Sequence, residues 1–184
     1  ISTGELSGDL HASYIVEKIK NLDKNAKVYA IGGMNLKKQD VEIVRDIDSL
    51  AIMGFVEVVK NFNFLKKVLE ETVEFILSNN IDRVVLVDYG GFNLKLLERL
   101  KLKKPSLKIT YYIPPKVWIW GKKRVPKIAK ADEILVIFPW EVDFYKKENV
   151  KALYFGNPFM EKYEKITKKG DKILLLPGSR KQEI

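Results

Sequence analysis

The stretch from Gly4 to Asp9 combines two glycines with polar side chains and leads into residues whose apolar positions have helical spacing. A turn of this kind can bring backbone N–H groups and the positive end of a helix dipole beside a phosphate or a sugar, because glycine lets the backbone approach a ligand closely. The chemistry would be binding of an anionic or hydroxylated ligand. The same pattern is also common in ordinary turns that connect a strand to a helix, so a ligand-binding turn and a purely structural turn both stay open.

A second glycine-bearing stretch carries a carboxylate. It runs from Asp88 to Asn93, directly after the apolar run 83–87. A carboxylate at the junction of a buried strand and such a loop can take a proton from a hydroxyl group that lies within hydrogen-bond reach. Asn93 could bind a sugar hydroxyl. The structural alternatives are a turn or N-cap role for Asp88 and a cap of the following helix for Asn93.

Strand-like and helix-like stretches alternate along the chain and must position these loops. Apolar runs typical of strands cover residues 27–31, 83–87, 108–113, 133–137 and 152–155. Helical spacing covers residues 10–22, 64–77, 94–102 and 141–147. This alternation predicts an α/β fold with a doubly wound parallel sheet. Ligands bind beyond the carboxyl ends of the strands in such sheets, so we expect the loops at 4–9, 32–34, 88–93 and 114–124 to share one crevice.

The composition excludes several classes of site. There is no cysteine and His11 is the single histidine, which excludes a disulfide framework, a thiolate metal site and a histidine-rich zinc cluster. We interpret His11 as a surface or packed side chain and expect no metal. The net charge of +9 comes from 28 lysines and 5 arginines that form no nucleic-acid-binding module, so we favour a solvated lysine-rich surface. No apolar run is long enough to span a bilayer.

We expect the chain to be a fragment of a longer protein. It opens at Ile1 without a methionine, and it closes shortly after a predicted strand at 172–176. Residues 1–156 would form an amino-terminal Rossmann-like domain with a truncated first strand, residues 157–171 an interdomain linker, and residues 172–184 the start of a second domain. Residues 1–3 would then be the end of the first strand.

Six blocks of sequence occur in the order and spacing of one enzyme family. They are residues 4–9, 50–58, 88–93, 112–124, 138–141 and 175–180. In these blocks the chain resembles the lipid-A-disaccharide synthases along its whole length. The resemblance implies a two-domain GT-B glycosyltransferase that joins UDP-2,3-diacylglucosamine to 2,3-diacylglucosamine 1-phosphate and releases UDP. It implies no metal and no cofactor, since the UDP-sugar is a substrate. Residues 1–156 would be the acceptor-side domain, and 172–184 would begin the nucleotide-sugar-binding domain.

The resemblance also implies roles for residues on the acceptor side. Asp88 would be the catalytic base that deprotonates the acceptor hydroxyl. Glu5 and Ser7 would orient acceptor groups through hydrogen bonds, with a helix cap as the alternative for Ser7. Gly90 stands where the family usually has a proline, and this departure frees the backbone beside Asp88.

On the donor side, the resemblance places phosphate binding in the turn that contains Ser179 and Arg180. A guanidinium can pair with two phosphate oxygens at once, and the amides of the turn can bind further oxygens. An ordinary solvated turn is the alternative from the residues alone.

Acylated substrates require the enzyme to reach lipid headgroups. The run 50–65 is densely apolar and flanked by lysines, a composition typical of an interfacial element and equally of a buried core helix. The docking candidates are Phe55, Val56, Val58, Val59, Phe62, Leu65, Trp118 and Trp120. The two tryptophans precede a basic turn and could also be packing aromatics. We therefore expect lipid-linked glucosamine substrates and peripheral contact with an anionic membrane surface, at the cytoplasmic face of the inner membrane.

Two other functions stay open from the sequence. Another GT-B transferase, acting on a different lipid-linked sugar, would share the fold and the phosphate-binding turn. A basic nucleic-acid-binding domain is supported by the net charge alone. The sequence also leaves a homodimer open.

Overall fold

The structure is a computed structural model that describes residues 1–47, 62–119, 121–162 and 170–171. Within these ranges the strands are β1 (Tyr29–Gly32), β2 (Glu42–Asp46), β3 (Arg83–Val87), β4 (Lys108–Tyr112), β5 (Glu133–Val136) and β6 (Leu153–Tyr154). All pairs are parallel. Ser2 bridges to both Ile31 and Leu86, so residues 1–3 lie between β1 and β3. The order across the sheet is therefore β2, β1, residues 1–3, β3, β4, β5 and β6.

Helices connect the strands. They are α1 (Leu6–Leu22), α2 (Met34–Lys37), α3 (Phe62–Ser78), α4 (Gly90–Lys103), α5 (Val125–Ile128), α6 (Pro139–Lys147) and α7 (Phe159–Lys162), with a 3-10 turn at Lys122–Arg124. No helix in the described part of the chain has both the length and the apolar content needed to cross a membrane.

Each face of the sheet packs on its own hydrophobic core. On one face Val84 and Leu86 of β3 join the buried side chains of α3, α4, α5 and α6. On the other face Val85 and Val87 contact a smaller core that includes Ala12 and Val16 of α1. Alternate residues of a strand point to opposite faces, so helices on both sides are needed to bury this apolar strand. The predicted doubly wound parallel α/β class is confirmed.

Most of the predicted elements are present, with shifted ends. The helix predicted from residue 10 begins at Leu6, and that predicted from residue 94 begins at Gly90. The helix predicted from residue 141 begins at Pro139, whose fixed φ suits the first helical position. The sequence prediction missed β2, α2 and α5.

Two predicted features concern the carboxyl-terminal part of the chain. Residues 159–162, inside the predicted linker 157–171, form α7, and the Phe159 ring lies 4.6 Å from the His11 ring. The predicted strand at 172–176 lies outside the described residues.

Candidate active site

The two glycine-bearing loops meet at the centre of the sheet. The Ser2 N–H donates to the Val85 carbonyl at 2.9 Å, and the Val87 N–H donates to the Ser2 carbonyl at 2.9 Å. On the opposite side the Thr3 N–H donates to the Ile31 carbonyl at 3.0 Å. The strand order reverses here, because β1 and β2 lie on one side of residues 1–3 and β3 to β6 on the other. The loops at 4–9 and 88–93 therefore leave the sheet at its topological switch point, the usual ligand position in open α/β sheets.

The backbone at Asp88 and Tyr89 adopts two consecutive left-handed conformations. Their φ angles are 47° and 48°. Aspartate tolerates this region, whereas it is uncommon for an aromatic residue. The Asp88 N–H donates to the Tyr112 carbonyl at 3.1 Å, and its carbonyl accepts from the Tyr111 hydroxyl at 3.0 Å. Asp88 is thus a turn residue held by β4, and the N-cap of α4 is Tyr89.

The side chain of Asn93 links this turn to the rest of the sheet through hydrogen bonds. Its side chain is fully buried, and its Oδ1 accepts from the Ser2 hydroxyl at 2.7 Å. Its Nδ2 donates to the carbonyls of Ser2, Val87 and Asp88 at 3.2, 3.2 and 3.0 Å. The amide therefore joins residues 1–3, the end of β3 and the Asp88 turn. Asn93 thus holds these elements together, since its amide oxygen and its amide nitrogen both form hydrogen bonds inside the protein. The helix-cap alternative is wrong, since Asn93 is already inside α4.

The Asp88 carboxylate is half-buried among charged groups. Burial raises the pKa of the Asp88 carboxyl, and the Glu5 carboxylate raises it further. The Tyr89 backbone N–H, which donates to this carboxylate, and the Lys116 ammonium act in the opposite direction. The net shift of the pKa is upward. A carboxylate with raised proton affinity at the switch point of such a sheet is suited to accept a proton from a hydroxyl group.

The first loop lies directly against this turn. A Cβ atom at Gly4 would sit 2.2 Å from the Cγ and Cδ1 atoms of the Tyr89 ring, so only glycine lets the two loops approach this closely. Glu5 is the N-cap of α1, and Ser7 is the second residue of the helix. Both are exposed. The structure thus brings Glu5 beside Asp88 at the start of α1, and the helix-cap alternative for Ser7 is wrong.

Asp9 has a structural partner that the sequence did not indicate. Its fully buried carboxylate accepts from the backbone N–H groups of Gly33 and Asn35 at 2.6 and 2.8 Å. Asp9 therefore caps the amino terminus of α2 and links the turn after β1 to α1.

The loop after β4 lies against the start of α4. A Cβ atom at Gly90 would lie 2.4 Å from Cγ of Pro115, so the Pro115 ring occupies the space beside the first residue of α4. Further along the loop, the Trp118 indole N–H donates to the buried Glu141 carboxylate at 3.2 Å. Trp118 is half-buried and packs edge-to-face on Trp140, with ring centroids 4.4 Å apart.

His11 is packed, which is one of the two positions that the sequence left open. Its ring meets those of Tyr112 and Phe159, at centroid distances of 6.1 and 4.6 Å. Burial lowers the pKa of the imidazole, which favours its neutral form.

The remaining predicted site residues have limited or no description. Phe62 begins α3 and Leu65 is half-buried in it, while the neighbouring Phe64 packs on the larger core. The predicted residues outside the described ranges are Phe55, Val56, Val58, Val59, Trp120, Ser179 and Arg180.

Two residues of the site were missed from the sequence. Tyr111 lies in an apolar strand, where a buried hydroxyl has no pattern of its own, yet it bonds to the Asp88 carbonyl. Glu141 follows Phe138 at the spacing of a capping box, and its carboxylate accepts from the Phe138 N–H at 3.2 Å. The capping spacing was the available indication for Glu141.

Comparison with known proteins agrees with this architecture. A family model described as lipid-A-disaccharide synthetase matches residues 1–184. The curated lipid-A-disaccharide synthase of Geobacter metallireducens is 34% identical over 197 residues, covering 100% of this chain and 51% of that protein. Those of Persephonella marina and Coxiella burnetii are 35% and 32% identical over 200 and 194 residues. These alignments cover 100% and 98% of this chain, and 51% of each relative.

The chain spans about half the length of the curated relatives it matches. The family model matches it from the first residue to the last, and the two glycine-bearing blocks that meet at the switch point are among those that carried the resemblance. The chain belongs to the lipid-A-disaccharide synthetase family.

Proposed function

We propose that this chain contributes the acceptor-side half of a glycosyltransferase that makes the lipid A disaccharide. The reaction joins UDP-2,3-diacylglucosamine to 2,3-diacylglucosamine 1-phosphate, and UDP leaves. In this proposal residues 1–156 bind the acceptor, residues 157–171 connect the domains, and residues 172–184 begin the domain that binds the nucleotide sugar. Support comes from the family match and from the polar turn at the switch point of the sheet.

The observation that carries the mechanism is the placement of Asp88. A hydroxyl that attacks an anomeric carbon must lose its proton as the new bond forms, and a positioned carboxylate can accept that proton. Asp88 lies at the switch point in a turn held by Asn93 and Tyr111, and its pKa is raised by burial and by Glu5. These bonds hold the Asp88 backbone, and the raised pKa makes its carboxylate a stronger base than a solvated aspartate.

The other predicted residues would complete the reaction. Glu5 and Ser7 are exposed at the start of α1, where they can accept or donate hydrogen bonds to acceptor hydroxyls. Ser179 and Arg180 would bind the pyrophosphate of the donor and offset the negative charge that grows on it as UDP leaves.

We further propose that the protein contacts the cytoplasmic face of the inner membrane peripherally. Its substrates would be lipid-linked, and the apolar run 50–65 with the tryptophans at 118 and 120 would meet the headgroup region. Among the described residues, Ile119 and Trp140 are exposed apolar side chains near Trp118, which supports an apolar surface beyond the carboxyl ends of β4 and β5.

The test uses the full-length protein and measures UDP release with and without the 1-phosphate acceptor. Asp88→Asn is the informative variant, because asparagine also tolerates the left-handed turn and keeps the shape of the side chain while losing the basic oxygen. We expect acceptor-dependent release in the wild type and a loss of about 100-fold or more in kcat for the variant.

Asp82→Asn is the matched control, since Asp82 is exposed and precedes the amino end of β3, whereas Asp88 follows its carboxyl end. Activity that survives Asp88→Asn would remove Asp88 as the base. A folded, full-length wild type that releases no UDP with this acceptor would refute the proposed acceptor and direct the search to other lipid-linked sugars.

A further inference from the structure

The loop after β4 has an enforced path. It opens at Ile113, a β-branched residue with a φ of 54°, in a region that such residues rarely adopt. The Ile113 N–H donates to the Leu135 carbonyl at 2.9 Å, which ties the start of the loop to β5. Two prolines follow. A strained residue of this kind persists only where its surroundings fix it, and strained positions concentrate at ligand sites.

The same loop is anchored on both sides of Lys116. On one side the Pro115 ring lies against Gly90, at the start of α4. On the other side Val117 is buried, and the Trp118 indole N–H reaches Glu141. Lys116 itself is exposed. The anchors therefore present one exposed lysine whose charge acts on the Asp88 carboxylate.

Lys116 forms no ion pair with another of the described residues. Other lysines have such partners: Lys122 contacts Glu148 at 2.6 Å, and Lys101 contacts Asp132 at 2.6 Å. The Lys116 ammonium nevertheless acts on the carboxylates of both Asp88 and Glu141, lowering the pKa of each against the effect of burial. It is thus near two acidic groups and bound to neither.

An anionic ligand would need such a cation. The carboxylates of Asp88, Glu5 and Glu141 make the surroundings of Asp88 and Lys116 acidic, and a phosphate monoester adds further negative charge of about 1.5 to 2 at neutral pH. Like charges would repel the ligand unless a cation lay beside it. A lysine on a flexible stem is a suitable partner, because its ammonium can donate three hydrogen bonds to phosphate oxygens.

We propose that Lys116 binds the phosphate monoester of the acceptor sugar and orients the acceptor hydroxyl toward Asp88. This inference rests on the proposed function, and it names the residue that distinguishes a phosphorylated acceptor from one without phosphate. The aromatic and proline contacts of the loop serve to hold that lysine in position.

The experiment compares two acceptors in the full-length protein: 2,3-diacylglucosamine 1-phosphate and the same sugar without phosphate. We expect the wild type to prefer the phosphorylated acceptor. Lys116→Gln should lower that preference, measured as the ratio of kcat/KM values, by about tenfold, the usual loss for one charge-assisted hydrogen bond. Lys116→Arg should retain most of the preference. Lys103→Gln is the matched control, because Lys103 is an exposed lysine at the far end of α4.

An unchanged preference in Lys116→Gln would overturn the inference, as would an equal loss with both acceptors or a rise confined to the KM of the nucleotide sugar. Calorimetric binding of glucosamine 1-phosphate against glucosamine supplies a second readout that needs no transfer. If the wild type transfers no sugar, the proposed function fails. Lys116 is then judged by this binding alone, and equal affinity of wild type and Lys116→Gln for glucosamine 1-phosphate would refute it.

Discussion

Replacing Asn93 with alanine tests whether the buried amide holds the Asp88 turn. The amide accepts one hydrogen bond, from the Ser2 hydroxyl, and shares its two hydrogens among the carbonyls of Ser2, Val87 and Asp88. Counting the two hydrogens once each gives three bonds lost. At a net value of about 1 kcal/mol for each, Asn93→Ala should lower the free energy of unfolding by about 3 kcal/mol.

The same substitution should lower activity beyond its effect on stability. The Asp88 carbonyl keeps its bond from the Tyr111 hydroxyl, but the turn loses the side-chain hydrogen bonds that Asn93 makes to Ser2, Val87 and Asp88. A base that is displaced by a fraction of an ångström loses catalytic efficiency, so we expect kcat to fall about tenfold or more while the KM values change little.

The assay is urea unfolding of the full-length protein followed by circular dichroism, together with kcat measured at a temperature where the variant is folded. Asn79→Ala is the control, because Asn79 is exposed and makes one bond, from its Nδ2 to the Phe75 carbonyl at 2.9 Å. It should change stability by less than about 0.5 kcal/mol. A loss below about 1 kcal/mol for Asn93→Ala with unchanged kcat would refute the reasoning, since the buried bonds would then contribute little.

Two further predictions concern the surroundings of Asp88. Glu5→Gln removes a carboxylate that raises the pKa of Asp88. Because a base acts when it is deprotonated, the acid limb of the pH profile of kcat/KM should move to lower pH. An acid limb that stays in place would contradict the electrostatic coupling between Glu5 and Asp88. Gly90→Ala places a methyl group 2.4 Å from Cγ of Pro115 and should destabilise the protein by about 1–3 kcal/mol in urea unfolding. Gly91→Ala, with no atom within 4 Å, should not destabilise it; equal effects of the two would exclude the clash.

The sequence predicted the central strands and their helices because these segments are buried on regular faces. β2 was missed for the opposite reason: Glu42–Asp46 contains three charged residues and lies at the edge of the sheet, so it lacks an apolar run. The sequence predicts the starts of α1 and α4 four residues later than the structure has them, because the glycines before each apolar pattern are typical of loops.

The polar residues of the candidate site also differ in how far local sequence could predict them. Asp88 could be selected from its position after an apolar run, and Glu5 from its place in the first loop. The bonds of Asn93 to Ser2, 91 residues away, and of Asp9 to Gly33, 24 residues away, depend on how distant segments pair. Local spacing carries no information about such pairs, so the sequence could indicate polar roles for both residues without identifying their partners.

The insertion of residues 1–3 between β1 and β3 has a consequence for how the protein is made. Ser2 leaves the ribosome long before its partner Leu86, so the emerging chain must keep a strand position open until β3 is synthesised. Pairings between residues far apart in sequence form slowly, because a long loop must close before any contact is gained. The Asp88 turn, fastened to Ser2 through Asn93, is therefore completed only after this late insertion. A nascent chain that ends before residue 93 would contain the whole first loop and would still lack the side chain that joins Ser2 to the Asp88 turn.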